Sequence, residues 1–210
     1  MQILSKYDLF IFDWDHTLTT STILVSIIHT LNKNYGKLNK KSYEKEYDPR
    51  NAIRNIRISE DVSRFYSFFD DIYFLLFRPK LKENSLALLD LLRRKHKKIA
   101  IFSDSKTYRL VKETRELGVI KYLDCAISAE SIDRYKPDPS GLFLISDKLR
   151  IPRGRSVYIG DMASDMLTAK FAGMESCAVS DGVDSEALLK DTKPTYLFRN
   201  LREFLEALQR

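Results

Sequence analysis

The chain has few cysteines and no long apolar run. Its 210 residues include only two cysteines, Cys125 and Cys177, which lie far apart in apolar surroundings. This spacing argues against a disulfide framework and a cysteine metal site, so both are predicted to be reduced, buried side chains. No apolar run is long enough to span a bilayer, and no signal-peptide pattern precedes the first predicted strand. We therefore expect a cytoplasmic protein.

Internal repeats, low-complexity segments and nucleic-acid-binding motifs are also missing. No helix-turn-helix, RNA-binding or zinc-finger pattern is found. The composition, 44% hydrophobic and 30% charged, is that of an ordinary globular protein. The formal net charge of +6 suits an anionic partner. Together these features favour a small phosphorylated molecule over a membrane or a nucleic acid.

Short apolar segments alternate with helical patterns along most of the chain. Helical spacing is seen, for example, at Leu86, Leu89 and Leu92. This alternation predicts an α/β fold, a parallel sheet with helices on both faces, whose ligands bind beyond the carboxyl ends of the strands. The predicted strands lie near residues 7–13, 98–103, 124–128, 156–160, 175–179 and 195–198.

One region interrupts the alternation. Between residues 17 and 81 we find no convincing strand, and helical patterns cover 22–35, 49–56 and 59–77. We predict a core domain of residues 1–17 and 82–210, with a helical insertion at 18–81 and hinges at 17–22 and 81–83. Arg50, Arg54 and Arg57 share one face of an inserted helix. They either bind a second anionic group of the substrate or form a solvated surface, and the sequence leaves this open.

Two acidic residues, Asp13 and Asp15, follow the first predicted strand. Successive strand side chains point to opposite faces, so a regular strand would bury one of the two charges. Burying an unpaired charge is costly, and the backbone is therefore expected to leave strand geometry here. Carboxylates in such a place hold a metal, attack a substrate or move a proton.

Three later segments carry further polar groups. Ser103 and Asp104 end the second predicted strand, where a hydroxyl before a helix start can hold a phosphate oxygen. Asp104 resembles a helix N-cap. Lys136 lies in a loop stiffened by two prolines, and Asp161 and Asp165 follow a strand and a glycine turn.

In this order, the four segments resemble the signature of the haloacid dehalogenase superfamily of phosphohydrolases. The pattern is D-x-D-x-T, a strand-end Ser or Thr, a lysine, and GD-x3-D, and the resemblance runs from about residue 7 to about residue 198. The helical insertion after D-x-D is similar to the cap of phosphoglycolate phosphatase-like members. The resemblance implies a Rossmann-like core and a smaller all-α cap that closes over the site.

The resemblance also implies roles for individual residues. Asp13 would be the nucleophile that forms an aspartyl-phosphate, and Asp15 the general acid and base. A Mg²⁺ ion would be held by Asp13, the backbone carbonyl of Asp15, and Asp161. Asp165 would support the metal through water or orient Lys136.

Phosphate binding would fall to Ser103, Asp104 and Lys136. His16 stands where many relatives of this superfamily have glycine, and it is given no catalytic role.

Three functions fit the sequence. The first is a magnesium-dependent phosphatase acting on a small phosphorylated metabolite. The second is a sugar phosphomutase of the β-phosphoglucomutase type, which shares the four segments. The third is a non-catalytic member that binds phosphorylated partners or nucleic acid, although such a protein would not need its acid pair. Neither the substrate nor the oligomeric state follows from the sequence.

Overall fold

The computed structural model describes residues 2–20 and 79–210. Residues 2–20 and 80–210 belong to one compact unit. The inserted helices predicted at 22–35, 49–56 and 59–77, with the arginines at 50, 54 and 57, lie outside the described residues, so the cap stays a prediction. Within the two described ranges, no helix has the length and apolarity needed to cross a membrane.

A six-stranded parallel sheet forms the centre of this unit. The strands are β1 (Leu9–Phe12), β4 (Lys98–Ser103), β5 (Cys125–Ser128), β6 (Ser156–Gly160), β7 (Glu175–Val179) and β8 (Tyr196–Phe198). Their order across the sheet is β5-β4-β1-β6-β7-β8. The predicted fold class is confirmed, and each predicted strand lies within two residues of an observed one. The central strand, β1, lies between β4 and β6, with Phe10 opposite both Ile99 and Val157.

Helices cover both faces of the sheet. Strand β1 is buried along its whole length, and its side chains alternate between two cores. Phe10 and Phe12 belong to one core, while Leu9 and Ile11 belong to the other. The described helices are α1 (Gln2–Lys6), α2 (Ser85–Arg94), α3 (Thr107–Glu116), α4 (Ala129–Ile132), α5 (Ser140–Leu149), α6 (Ala163–Ala172), α7 (Glu186–Asp191) and α8 (Leu201–Gln209).

The two cores draw on different helices. The core that contains Phe10 also contains Leu88 and Leu92 of α2 and Phe204 of α8, whereas the opposite core contains Ile145 of α5 and Ala169 of α6. The sheet is therefore shielded from water on both sides, as expected for a parallel sheet.

Some sequence expectations about the core need adjustment. Leu86 was expected on the apolar face of α2, but it is exposed, because the buried face is formed by Leu88, Leu89, Leu91 and Leu92. Helix α1 was not predicted, since five residues are too few for a periodic pattern. Cys125 and Cys177 are free thiols in buried positions, as predicted.

Two very short strands pair with each other where the chain leaves this unit and where it returns to it. β2 (Thr19–Thr20) pairs antiparallel with β3 (Lys80–Leu81). This corrects the expectation of no strand between residues 17 and 81, because two-residue strands are too short to show alternation. Just beyond β3, the Lys82 N–H donates to the Leu18 carbonyl at 2.9 Å. The described part of the first predicted hinge, residues 17–20, therefore lies beside the second hinge at 81–83.

Candidate active site

The backbone leaves strand geometry in the loop that follows β1. This was predicted because a regular strand would bury the charge of either Asp13 or Asp15. The Asp13 N–H still donates to the Ile159 carbonyl of β6 at 2.8 Å. The chain then turns through Trp14, which is fully buried and whose carbonyl accepts the N–H of Leu18 at 3.1 Å. His16 has a φ of 58°, in the left-handed region that glycine adopts most easily. This backbone conformation explains why glycine suits the position that His16 occupies here.

Three buried carboxylates meet at the carboxyl ends of β1 and β6. Asp13, Asp161 and Asp165 each place a carboxylate oxygen within 4.8 Å of the others. Asp13 is 3% exposed, and Asp161 and Asp165 are fully buried. Since β1 and β6 are neighbours, Asp13 near the start of the chain and the two acids near residue 161 converge in space.

Lys136 supplies positive charge to this cluster. Its ammonium group lies 2.7 Å from Asp13 Oδ1 and 2.7 Å from Asp165 Oδ1, and its side chain is only 4% exposed. Burial by itself would lower the pKa of Lys136, but the two carboxylates outweigh it and raise this pKa well above its usual range. The structure therefore brings Lys136 into contact with both acids.

The pKa of Asp13 is shifted in opposite directions by its surroundings. Burial raises its pKa, the charge of Lys136 lowers it, and the neighbouring charges of Asp165 and Asp161 raise it again, so that the pKa lies well above its ordinary value. The cluster thus has more negative charge than Lys136 can balance.

Asp165 is held by the turn that follows β6. Its Oδ2 accepts the N–H groups of Asp161 at 3.1 Å and Met162 at 2.9 Å, and its Oδ1 accepts the Tyr158 hydroxyl at 3.2 Å. A Cβ at Gly160 would lie 2.4 Å from Asp165 Cγ, so only glycine fits this close approach. The carboxylate is fixed at the start of α6, where it also faces Lys136.

Asp161 is held from two other segments. Thr17 donates its hydroxyl to Asp161 Oδ1 at 2.8 Å, and the Val183 N–H donates to Oδ2 at 2.7 Å. Burial and the charge of Asp165 raise the pKa of Asp161 to about 7, although these hydrogen bonds oppose the rise. A Cβ at Gly182 would lie 2.2 Å from Asp161 Oδ2. The loop around residue 183 therefore fits closely against this acid.

The carboxylate cluster fits a hard divalent cation. Carboxylate oxygens are the ligands that Mg²⁺ prefers, and Asp13, Asp161 and Asp165 carry more negative charge than the adjoining ammonium group of Lys136 neutralises. The expected contribution of Asp15 through its backbone carbonyl remains a prediction. The Asp15 carboxyl group does not belong to the cluster and lies against Ser105 and Arg109.

Asp15 is bound by a hydroxyl and a guanidinium group. Ser105 donates its hydroxyl to Asp15 Oδ2, and Arg109 Nη2 contacts Asp15 Oδ1. Burial would raise the pKa of Asp15, but the charge of Arg109 and the hydrogen bonds from both partners lower it overall. The structure therefore favours the ionised carboxylate.

The end of β4 differs from expectation in one respect. Ser103 is buried, and its hydroxyl accepts the N–H of Ser105 at 3.1 Å. This turn uses residues 103–105, so α3 begins only at Thr107 with Lys106 as its N-cap residue. The predicted N-cap role of Asp104 is therefore wrong. Its Oδ1 instead accepts the backbone N–H of Lys136 at 3.1 Å and fastens that loop.

Several residues that contact the site have little or no signal in the sequence. Thr17 appeared only as the last letter of D-x-D-x-T, and Ser105 and Arg109 had no assigned role. The spacing of Ser105 two residues after Ser103 offered a weak signal. Tyr158 and the backbone of Val183 offered none, since their contacts depend on how distant segments pack.

Comparison with known proteins agrees with the site. Residues 10–179 match the family described as haloacid dehalogenase-like hydrolase, and the chain belongs to this family. A provisionally named pyrophosphatase PpaX from Caldanaerobacter subterraneus subsp. tengcongensis is 27% identical over 207 residues, which cover 95% of this chain and 93% of the relative. A phosphoglycolate phosphatase from Pseudomonas fluorescens is 29% identical over 90 residues, 43% of this chain and 33% of the relative.

Solved structures share the fold. A provisionally named haloacid dehalogenase-like hydrolase from Bacteroides fragilis aligns with a TM-score of 0.76 at 22% identity, over 95% of this chain and all of that one.

Proposed function

We propose that this chain is a magnesium-dependent phosphohydrolase that releases phosphate from a small phosphorylated metabolite through an aspartyl-phosphate on Asp13. One observation carries this proposal. Buried Asp13, at the end of the central strand, lies 2.7 Å from the Lys136 ammonium group and shares a carboxylate cluster with Asp161 and Asp165. The cluster lies at the sheet edge where α/β proteins bind ligands. The phosphatase names of the relatives support the class of substrate.

Asp13 performs the covalent step in this proposal. Its carboxylate attacks phosphorus, and the bond from phosphorus to the alcohol oxygen breaks as the new bond to the carboxylate oxygen forms. Water then attacks the aspartyl-phosphate, which releases phosphate and restores the carboxylate. Lys136 reduces the repulsion between the carboxylate and the incoming phosphate. The Ser103 hydroxyl and the Lys136 ammonium group contact phosphate oxygens.

Asp15 moves the protons. It gives a proton to the departing alkoxide and later takes one from the attacking water. Its contact with Arg109 favours the ionised form, which is the form that the second step needs. The first step requires Asp15 to bind a proton beforehand.

Asp13, Asp161 and the backbone carbonyl of Asp15 would hold Mg²⁺. When bound, the ion supplies positive charge that offsets the repulsion between nucleophile and substrate. Thr17 and the Val183 N–H keep Asp161 oriented, and both therefore belong to the machinery of the proposed reaction.

A screen of phosphorylated metabolites, with and without Mg²⁺, tests the proposal. We expect phosphate release that requires the ion. Asp13→Asn should abolish turnover while the fold remains, because the amide keeps the shape of the carboxyl group but is not a nucleophile. Asp147→Asn, at an exposed position on α5, is the matched control and should retain full activity. Failure to release phosphate from any compound, or substantial turnover by Asp13→Asn, would contradict the proposal.

The same screen separates the two alternatives. A phosphomutase would convert a sugar phosphate into its isomer rather than release phosphate. A non-catalytic binding protein would release none, and it would instead bind a nucleic-acid duplex with a steep dependence on salt.

A further inference from the structure

A largely buried chain of charged side chains runs from Asp15 into α3. Arg109 contacts Asp15 Oδ1 through Nη2, and its Nε donates to Glu113 Oε1 at 2.9 Å. The exposed fractions of the three side chains are 17% for Asp15, 12% for Arg109 and 0% for Glu113. A guanidinium group that is bound on two of its edges has little freedom to rotate. Glu113 thus helps to fix the orientation of Arg109.

Glu113 also holds the loop on which the two acids stand. Its Oε2 accepts the indole N–H of Trp14, the residue between Asp13 and Asp15. Trp14 is fully buried, so this contact anchors the loop from within the core. A single carboxylate on α3 therefore fixes both the backbone beside Asp15 and the cation that touches its side chain.

Stability alone accounts for the acceptor beside the Trp14 N–H but does not require a pair of opposite charges here. Buried ion pairs are often no more stabilising than apolar residues of the same volume, because each charge loses its hydration. Arg109 and Glu113 nevertheless keep two opposite charges between α3 and the loop that carries Asp15. The chain of contacts leads to the carboxyl group that transfers protons in the proposed reaction.

We propose that Arg109 and Glu113 are positioning residues that orient the Asp15 carboxyl group for proton transfer to the leaving group. This inference rests on the proposed function. Neither residue touches the reacting atoms, and both act through Asp15. Their proposed effect is on the direction of the carboxyl group, and it must outweigh the preference of Arg109 for the ionised form of Asp15, which alone would hinder proton donation.

The dependence of rate on the leaving group tests this role. An alkyl phosphate releases a strongly basic alkoxide that needs a proton from Asp15, whereas a nitrophenyl phosphate releases a stable phenolate that needs little help. The ratio kcat/KM reports on the steps up to departure of the alcohol. We expect Arg109→Met to reduce kcat/KM by about 100-fold for the alkyl phosphate, the size of effect that a small misplacement causes. The reduction for the nitrophenyl phosphate should be much smaller.

Three further single variants and one double variant sharpen the test. Arg109→Lys keeps the charge and should partly restore turnover of the alkyl phosphate. Arg115→Met removes an exposed arginine from the same helix and should change neither substrate's kinetics. Asp15→Asn should show the same selective loss, and adding Arg109→Met to it should cause no further loss, because both changes remove one function.

An equal loss on both substrates, no loss on either, or additive losses in the double variant would overturn the inference. Thermal unfolding verifies that each variant is folded. If Arg109→Met does not fold, the double variant Arg109→Gln, Glu113→Gln removes both charges together and undergoes the same comparison. If the wild-type chain hydrolyses neither substrate, the proposed function fails and the inference with it. If the wild type and Asp15→Asn behave as expected but Arg109→Met does not, only the inference fails.

Discussion

Replacement of Lys136 by methionine tests the charge balance of the candidate site. The ammonium group lies 2.7 Å from both Asp13 and Asp165, and all three side chains are at most 5% exposed. Methionine fills a similar volume but leaves the two carboxylates without their shared cation. We therefore expect the variant to be folded but markedly less stable, and to lose phosphate-releasing activity.

The size of the loss follows from the geometry. Removing one partner of a buried ion pair costs about 3–5 kcal/mol, and the upper end applies because two carboxylates are affected. That is a large share of the 5–15 kcal/mol by which domains are typically stable. A divalent ion should offset part of this loss, since binding at a hundredfold excess over Kd stabilises the folded state by about 2.7 kcal/mol. Mg²⁺ should therefore restore much of the stability of the variant.

Urea unfolding in EDTA and in Mg²⁺ measures both effects. Lys148→Met, at an exposed position on α5, is the control and should unfold like the wild type. Adding Asp165→Asn to Lys136→Met should recover part of the stability in EDTA but no activity, because one uncompensated charge is removed while the lysine is still missing. Equal free energies of unfolding for Lys136→Met and the wild type in EDTA would refute the reasoning.

Three further predictions concern single positions. Burial would raise the pKa of Asp124, but its lysine and arginine partners and a backbone N–H lower it below the unfolded value. Asp124→Asn should therefore cost about 1–2 kcal/mol at neutral pH, and this difference should vanish as the pH falls below the pKa of Asp124 in the folded state, since the carboxylate is then protonated in both states. Gly182→Ala should abolish most activity, because its added Cβ would displace Asp161. Gly154→Ala is the control and should leave activity unchanged, because nothing lies near its added Cβ. His16→Gly should be about 1 kcal/mol more stable than His16→Ala, because only alanine is strained at positive φ.

Chemical denaturation as a function of pH measures the first of these, and phosphate release the second. A pH-independent cost at Asp124 would show that its charge is not the cause. Normal activity of Gly182→Ala would show that the loop adapts around Asp161, and equal stability of the two His16 variants would show that the loop relaxes.

Much of the sheet could be predicted because its signals are local. The continuous apolar strand at Leu9–Phe12 and its successors are read from runs of neighbouring residues, and the parallel arrangement follows from their alternation with helices. The convergence of Asp13 with Asp161 could then be predicted, because the carboxyl ends of parallel strands lie at the same edge of the sheet and form the ligand site there. The strand pair at Thr19 and Lys80 was missed because two residues carry no pattern.

The contacts that orient Asp15 and Asp161 could not be predicted. Arg109 and Asp15 are 94 residues apart in sequence, and Thr17 and Asp161 are 144 apart. Such contacts depend on the distance between packed elements and on side-chain rotamers, neither of which leaves a periodic signal. The mistaken cap at Asp104 has a similar origin, because the Ser103–Ser105 hydrogen bond shifts the helix start.

The amino-acid order alone determined the α/β class, the family and the acids that gather at one end of the strands, since each depends on residue type and spacing. Tertiary packing decided what each acid touches: Lys136 between Asp13 and Asp165, and Arg109 beside Asp15. The reason is physical. Periodicity sets which face of an element is buried, whereas the partner of a buried charge is chosen by angstrom-scale distances that exist only after the elements have packed.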